Sequence, residues 1–590
     1  MEAWPSEPES PFLRLLRNRI DLEHIPFTDR SSRILVFWRQ GRLQIRLSER
    51  WTKLESERGH YRQRPPILDD FAFTGAGGQP LPARVTSYPH LVVFETAAGV
   101  FRLAFVDPET LYLALPPGPV GVRFRAEGET AQSDRRGGRL NGARHIAYTT
   151  NAPVTANRLD PDEPGYFRVA LDVAAGEEHG LLLNVTPRLG FNRALPQPAP
   201  VFRAAEERWH AWFAAVPAVE ERLRAQYYYA WWIMRAGLLS TRYYTTREAM
   251  APSKIYYVGV WQWDAYFHAL AYRHVDAKLA QDQLRIVLDH QQPNGMIPDA
   301  VHDEGIITHL QTPVDADVTK PPLIAWAALK LYETDGDREF LSEIYEPVVR
   351  WHRWWFAQNT PDGDGIVAYT HPFSSGLDDS PLWDGGMPVK SPELNTYLYI
   401  QMESLARIAE IIDEPGDVAL WRDEAAAHLT RMLEYFWDPD AGVFWATRHN
   451  RRIPVLTPFN LYPLWTGQLP AGMVRRLVAH LRDPAEFWAP WPLPTVARND
   501  PTYDPQQMWR GPTWLNVNYL FVEALMRAGQ ADLARELRDK TLDLLLRHPD
   551  IWEYYDPETG NPPPKAAPIF GWSAAVFIDL AIKAARGEVI

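Results

Sequence analysis

Three carboxylates fall within seven residues of the run HPFSSGLDDSPLWDGG (His371–Gly386): Asp378, Asp379 and Asp384. Pro381 lacks an amide proton and turns the residue before it away from helical geometry, so the run reads as a loop. A loop of this kind can present an acid to a cleft. A solvated Asx turn is the plainer reading of Asp-Asp-Ser-Pro, but aromatic residues crowd the flanks and a second carboxylate, Glu553 in IWEYYDPETG, stands far downstream. Two acids among aromatic rings can hydrolyse a glycoside. One protonates the leaving oxygen, and the other activates water or attacks the anomeric carbon. Only tertiary folding can bring Asp378 and Glu553 together.

The elements that must position them change character near Phe202. From about Ser31 to Pro200, short apolar runs such as RILVFWRQGRLQIRL, HLVVFETAAGVFRLAFV and YFRVALDVAAGEEHGLLLNV alternate with polar residues between Gly/Pro turns. This spacing predicts an N-terminal β-sandwich over residues 1–201, with hairpins around Gln40-Gly41 and Ala98-Gly99. The polar, Gly-rich stretch from Gly128 to Asn151 is expected to be a long surface loop or a loosely ordered strand connection. AAEERWHAWFAAV begins a linker helix, placed at 202–218. Apolar residues then recur at helical spacing over 219–240, 262–273, 276–290, 322–334, 337–359, 393–413, 416–436, 458–466, 473–482, 514–528, 530–547 and 572–586. Twelve helices in six hairpins would close an (α/α)6 barrel over 219–590, giving a mainly α chain. The chemically interesting residues lie in the long connections between these helices, where function concentrates.

Composition narrows the function. The 590 residues are 46% hydrophobic, 23% charged and 12% aromatic, with 24 Trp, as in a folded globular protein with aromatic surface to spare for planar or sugar ligands. A formal net charge of −13 and the lack of a Lys/Arg run predict no nucleic-acid partner. The absence of cysteine excludes disulfides, thiol nucleophiles and thiolate metal sites. No run reaches the length of a membrane span, and the acidic, Pro-rich start lacks a secretory core, so a cytoplasmic protein without a membrane partner is expected. His302, Asp303, Glu304 and His309, and the loop PDGDGI (Pro361–Ile366), invite a metal reading. The first group lacks helical His spacing, and the second is too short for a calcium loop and lacks its closing Glu, so no metal is expected.

Four ordered runs are specific enough to carry a resemblance: SGLDDSP (Ser375–Pro381), WRGPTWLNVNYL (Trp509–Leu520), WEYYDPETG (Trp552–Gly560) and GWSAAVFIDL (Gly571–Leu580). They resemble the signature blocks of glycoside hydrolase family 63. VWQWDAYFHALA (Val260–Ala271) and NGMIP (Asn294–Pro298) match as well. The family holds processing α-glucosidase I, bacterial α-glucosidases, and mannosylglycerate or glucosylglycerate hydrolases. The resemblance implies an (α/α)6 barrel, hydrolysis with inversion, no cofactor, and a small carbohydrate as substrate. It implies Asp378 as general acid, Glu553 as general base and Asp379 in support, the second Asp being also the alternative acid. An acid so used needs a raised pKa, which burial among Trp residues can supply.

The resemblance also carries substrate-binding roles. Trp261, Trp263 and Asp264 match a pair that the family places at the sugar subsite, although Asp264 would equally suit a helix N-terminus. Arg510 and Trp514 read as sugar contacts over a structural ion pair. Trp509 and Trp572 serve equally well as core, and Tyr554 and Tyr555 could orient the base or pack. Lys320, in VTKPPL, departs from the polar contact common in the family. Asp384 is read as a turn residue beside Gly385-Gly386. The expected function is an inverting, exo-acting α-glycosidase removing terminal glucose or mannose. The alternatives are a glucosylglycerate or mannosylglycerate hydrolase, a trehalase-like glycosidase, a phosphorylase, for which no basic phosphate pocket is evident, and a non-catalytic carbohydrate-binding protein.

Overall fold

The computed structural model describes residues 7–50 and 65–590. Contacts divide the chain into two units: Met1–Val216 with Arg235–Ser240 and Lys254–Val258, and Pro217–Met234 with Thr241–Ser253 and Gly259–Ile590.

Between Ile34 and Thr186 the described residues of the first unit form fourteen strands, β1 (Ile34–Arg39), β2 (Arg42–Leu47), β3 (Leu68–Gly75), β4 (Arg84–Ser87), β5 (Val92–Thr96), β6 (Gly99–Asp107), β7 (Thr110–Ala114), β8 (Val120–Glu127), β9 (Thr130–Asp134), β10 (Gly137–Asn141), β11 (His145–Thr150), β12 (Val154–Pro161), β13 (Tyr166–Val173) and β14 (Gly180–Thr186). They form a six-stranded sheet in the order β1-β2-β3-β8-β13-β12 and an eight-stranded sheet in the order β4-β5-β6-β7-β14-β11-β10-β9. The sheets pack face to face through rings from both: Phe73 of β3 on Phe101 of β6 (4.3 Å), Trp38 of β1 on Phe94 of β5 (5.0 Å), and Phe124 of β8 on Tyr148 of β11 (5.6 Å). The hairpin at Gln40-Gly41 closes with both residues at positive φ, the geometry that matches strand twist in a two-residue turn. The first helices are α1 (Pro11–Leu15) and α2 (Pro198–Ala214).

The expectation of a loop over Gly128–Asn151 is corrected here, because that stretch forms three successive antiparallel strands, β9 to β11. Its polarity misleads because β9 is largely exposed and the buried residues of β10 are two glycines, Gly137 and Gly138, beside Leu140, ahead of the buried Ile146–Thr150 run. Gly137 sits where a Cβ would fall 1.9 Å from the Tyr148 carbonyl oxygen, so the glycine there permits strand pairing rather than marking a loop.

Helices follow: α3 (Arg224–Ala236), α4 (Gln262–Tyr272), α5 (Ala277–Leu288), α6 (Ile324–Asp335), α7 (Arg338–Gln358), α8 (Pro392–Ile411), α9 (Pro415–Phe436), a 3-10 helix (Pro458–Thr466), α10 (Ala471–Arg482), α11 (Leu515–Arg527), α12 (Ala531–Leu545) and α13 (Gly571–Ala585). The eighth segment is 3-10 rather than α, and Pro463 lies inside it. It begins at a Thr457–Asn460 capping box and stops at Gly467, φ 67°. Helix α4 packs on α6, α6 on α8, α8 on the 3-10 helix, that helix on α11, α11 on α13, and α13 back on α4. Within this cycle every residue of α4 and of the 3-10 helix is buried, and α6 and α8 become exposed toward their C-terminal ends (Glu333–Asp335; Arg407 and Glu410), whereas α10 buries only Leu477 and Leu481. Helices α5, α7, α9, α10 and α12 lie against one or two members of that cycle. Buried Asp579 of α13 binds Arg273 (2.6 Å), His274 (2.8 Å) and the Tyr519 hydroxyl of α11 (2.8 Å), which ties α13 to α11 and the end of α4. No helix among the described residues is long and apolar enough to cross a membrane.

Candidate active site

The residues singled out in the sequence gather before or at the N-terminal ends of the cyclic helices. Trp261 is the N-cap of α4 and Asp264 lies in its first turn. Lys320 lies four residues before α6, Asp378 and Asp379 lie in the loop before α8, Trp514 is the N-cap of α11, and Trp572 is the second residue of α13. Positive ends of helix dipoles suit a cluster of carboxylates.

The loop bearing Asp378 is built on itself and on Trp263. A 3-10 turn, Pro372–Ser375, is capped by the His371 imidazole, which accepts the Phe373 amide at 3.1 Å and, being buried, is pushed down to about 4. Gly376 follows at φ 73°, and a Cβ there would lie 2.3 Å from Cζ2 of Trp263. Only glycine brings the chain this close to the ring in that conformation. The Trp383 indole donates to the Leu377 carbonyl at 2.7 Å and closes the loop around the half-buried Asp378 and Asp379.

Asp379 then fixes a second loop. Its Oδ1 accepts the Trp509 amide at 2.8 Å, its Oδ2 accepts Gln507 Nε2 at 2.6 Å, and its carbonyl accepts Arg510 Nη1 at 3.1 Å. Arg510 also makes a bidentate pair with Asp384, at 2.9 and 2.6 Å. Asp384 is therefore an ion-pair partner as well as a turn residue, and its sequence signal, an Asp before Gly-Gly, gave only the turn. From Trp509 the chain runs to Thr513, which exchanges main-chain hydrogen bonds with Tyr555 (2.7 and 3.0 Å). Glu553 lies two residues before Tyr555 and is buried. Its amide donates to the Ala567 carbonyl at 2.9 Å, and its Oε2 accepts the Ala567 amide at 3.1 Å. One continuous stretch, 507–513, thus joins the Asp378–Asp379 loop to the Glu553 loop. The Tyr554 phenol is pushed up by burial and further by the charges of Glu553 and Asp379, so it lies in the field of both. The Tyr555 hydroxyl accepts the Trp552 amide (2.8 Å) and braces the turn.

The aromatic residues form one packed cluster. Trp509 and Trp514 stack at 3.8 Å with 6° between planes. Trp514 meets Tyr554 (4.7 Å) and Trp572 (5.4 Å), and Trp263 meets Trp572 edge-on (5.1 Å) and Trp509 (6.0 Å). All five are buried. Trp261 is only half-buried and stands edge-on to His302 at 5.1 Å.

Lys320 is buried, pairs with Asp299 at 2.8 Å and donates to the Phe373 carbonyl at 2.6 Å. Burial pushes the Asp264 carboxyl well above the ordinary range, with Lys320 opposing and Asp299 and Asp378 reinforcing the shift. Burial likewise raises Asp299 against the pull of Lys320. Asp299 was missed although it stands in the NGMIPDAV run. A lysine inside VTKPPL, an apolar setting, signals a buried counter-ion but not which one. At the two stretches considered for metal, Asp362 and Asp364 both accept from Lys390 Nζ (2.7 and 2.6 Å), Asp303 accepts the Thr245 hydroxyl (2.9 Å), and His309 pairs with Asp315 and Asp317. Among the described residues no group of three or more carboxylates or imidazoles is arranged to hold a metal ion.

Residues 257–573 match the mannosylglycerate hydrolase MGH1-like glycoside hydrolase domain. The chain belongs to this family, within glycoside hydrolase family 63. It is a glycoside hydrolase. A mannosylglycerate hydrolase of Thermus thermophilus is 28% identical over 54% of this chain and 93% of its own length, and a glucosylglycerate hydrolase of Mycolicibacterium hassiacum is 25% identical over 57% and 94%. The crystal structure of a family 63 mannosylglycerate hydrolase from Thermus thermophilus in complex with glucose superposes with a TM-score of 0.51 at 27% identity, over 58% of this chain and 96% of that one. A bacterial glucoamylase complexed with acarbose, 12% identical, matches 100% of this chain and 96% of its own at a TM-score of 0.59, a likeness of fold.

Proposed function

We propose that this family 63 member is an inverting, exo-acting α-glycosidase that removes a terminal α-linked glucose or mannose from a small oligosaccharide or glycosylated solute. We further propose that its cyclic helices and their outer neighbours form an (α/α)6 barrel with the site at the N-terminal ends of the inner helices. Asp378 is the general acid and Glu553 the general base. The supporting observation is the 507–513 stretch, which is held at one end by Asp379 and at the other by Tyr555, and so couples the two acid loops.

In this reaction the Asp378 proton passes to the glycosidic oxygen as the bond to the anomeric carbon breaks. Water attacks that carbon from the opposite face and gives its proton to Glu553. One water is consumed, and the released sugar has the opposite anomeric configuration. Exchange with solvent restores both carboxyls. Asp379, with both oxygens engaged, holds the loop, and Trp261 offers the aromatic face for the sugar.

A second reading, hydrolysis of glucosylglycerate or mannosylglycerate, is supported by the activities named for the relatives. It needs a cation for the aglycone carboxylate. Lys320 and Arg510 are already paired with Asp299 and Asp384. Arg448, whose guanidinium lies against Gly385 and Gly386, is the cation that reading requires. The test is a panel of kojibiose, nigerose, maltose, trehalose, glucosylglycerate and mannosylglycerate with the released anomer followed by NMR. A β-anomer from an α-linked disaccharide supports the first reading, and turnover of glycerate glycosides alone supports the second. An α-anomer from the non-reducing residue of kojibiose, nigerose or maltose refutes inversion, whereas trehalose yields one anomer of each kind.

A further inference from the structure

Three separate loops meet at Thr319-Lys320. The Thr319 hydroxyl lies within hydrogen-bonding reach of the Ile297 carbonyl (2.6 Å) and the Gln262 side-chain oxygen (3.0 Å), and its amide donates to the Ser374 hydroxyl at 3.2 Å. Gln262 opens α4 two residues before Asp264, and its amide donates to the Asp299 carbonyl at 3.0 Å. Ser374 lies four residues before Asp378. The next side chain, Lys320, places its ammonium 2.8 Å from Asp299 Oδ1 and donates to the Phe373 carbonyl at 2.6 Å, with both ionic groups about 5% exposed. Burial alone would drive this lysine toward its neutral form, yet Asp299, Asp378 and Asp264 together hold it above the ordinary lysine value. The charged and titratable groups facing the cluster are Asp299 from the 292–299 loop, Asp264 from α4, and Asp378 and His371 from the loop before α8.

We infer that Lys320 is a positioning residue, an internal counter-ion that anchors the general-acid loop through the Phe373 carbonyl and sets the charge balance among Asp264, Asp299 and Asp378, rather than a substrate contact. The inference rests on the assignment of Asp378 as the acid. Chemically, three carboxylates in one buried region cannot all ionise without a cation among them. Lys320 opposes the upward push of burial on Asp299 and Asp264, and its charge also interacts with that of Asp378. Removing an adjacent positive charge raises a carboxyl by about one to three pH units.

The tests are Lys320→Met, Lys320→Gln and Lys320→Arg. With the substrate that the panel identifies, Lys320→Met and Lys320→Gln are expected to move the alkaline limb of kcat/KM upward by about one unit or more, while the limb set by Glu553 stays in place and Lys320→Arg keeps the parent profile. A rise in KM with both limbs unmoved would overturn the inference and make Lys320 a substrate contact. A second readout needs no activity. The thermal-stability deficit of Lys320→Met should be wider at pH 8, where the carboxyls ionise, than at pH 5, and Asp299→Asn in the same chain should recover part of it. A deficit equal at both pH values, or not relieved by Asp299→Asn, means that Lys320 only fills space and overturns the proposal. If the parent cleaves none of the panel, the assigned reaction fails, and the stability comparison still decides the role of Lys320.

Discussion

Replacing Gly376 by alanine tests whether the seating of the Asp378 loop on Trp263 controls chemistry. The backbone there is left-handed, φ 73°, which costs an alanine about 1–2 kcal/mol. The new methyl would also lie 2.3–2.6 Å from three atoms of the Trp263 indole. That ring cannot step aside: it is buried, with Trp572 edge-on at 5.1 Å and Trp509 at 6.0 Å. Overpacking of this kind costs about 1–3 kcal/mol more, so the strain totals about 2–5 kcal/mol. The flexible partner is the loop, and lifting it by about 1 Å carries Asp378 out of line and lowers kcat/KM by about 10²-fold. The assay is kcat/KM with the substrate that the panel identifies, beside calorimetric melting. Gly416→Ala is the control, because a Cβ at this position in the first turn of α9 meets nothing within 4 Å. If Gly376→Ala retains parental kcat/KM and stability, or if Gly416→Ala is equally harmful, the seating argument is wrong.

Two further outcomes follow from the same geometry. Asp379→Asn turns one acceptor into a donor opposite the Trp509 amide or the Gln507 side chain, a loss of about 1–3 kcal/mol. Melting temperature and rate should fall while both limbs of the pH profile stay in place, and loss of the alkaline limb would make Asp379 the acid instead. Glu393, buried in the first turn of α8 and accepting from the Ser391 hydroxyl, is pushed by burial from 4.5 to about 8. Its folded value is the higher one, so the contribution of its neutral form is fully present below about pH 4.5 and is lost as pH rises through about 8. That loss amounts to about 5 kcal/mol over the interval. Glu393→Gln should flatten the fall in melting temperature from pH 5 to pH 8, and an unchanged slope would refute the assignment.

Where burial is periodic, the sequence was enough to draw the helices. Those of the cycle are buried along most of their length, and their neighbours carry stripes, so the segments at 262–273 and 572–586 appear within a residue or two of where spacing put them. The same logic misread Gly128–Asn151, because an edge strand with one exposed face and glycines needed for close approach looks like a loop. Chemistry was legible where residue types are rare together, as in SGLDDSP and WEYYDPETG. Partnerships were not legible. Asp384 with Arg510 and Asp299 with Lys320 join residues more than twenty positions apart, and no local pattern distinguishes a carboxylate that meets solvent from one that meets a guanidinium.

The division of labour among the tryptophans is the clearest case of structure refining type. Composition offers every Trp in the loops as a sugar platform. A ring can stack on a pyranose only if one of its faces is open, and Trp509 and Trp514 close a face of each against the other at 3.8 Å. Trp263 supports Gly376, and Trp572 is flanked by Trp263, Phe267, Trp514 and Phe570. These four rings form a rigid floor that fixes where the two acid loops stand, so truncating any of them should displace carboxyl groups more than it weakens sugar stacking. Trp261 differs. It is half-buried at the α4 N-cap, three residues from Asp264, and among the tryptophans singled out it is the one with surface left to offer a sugar.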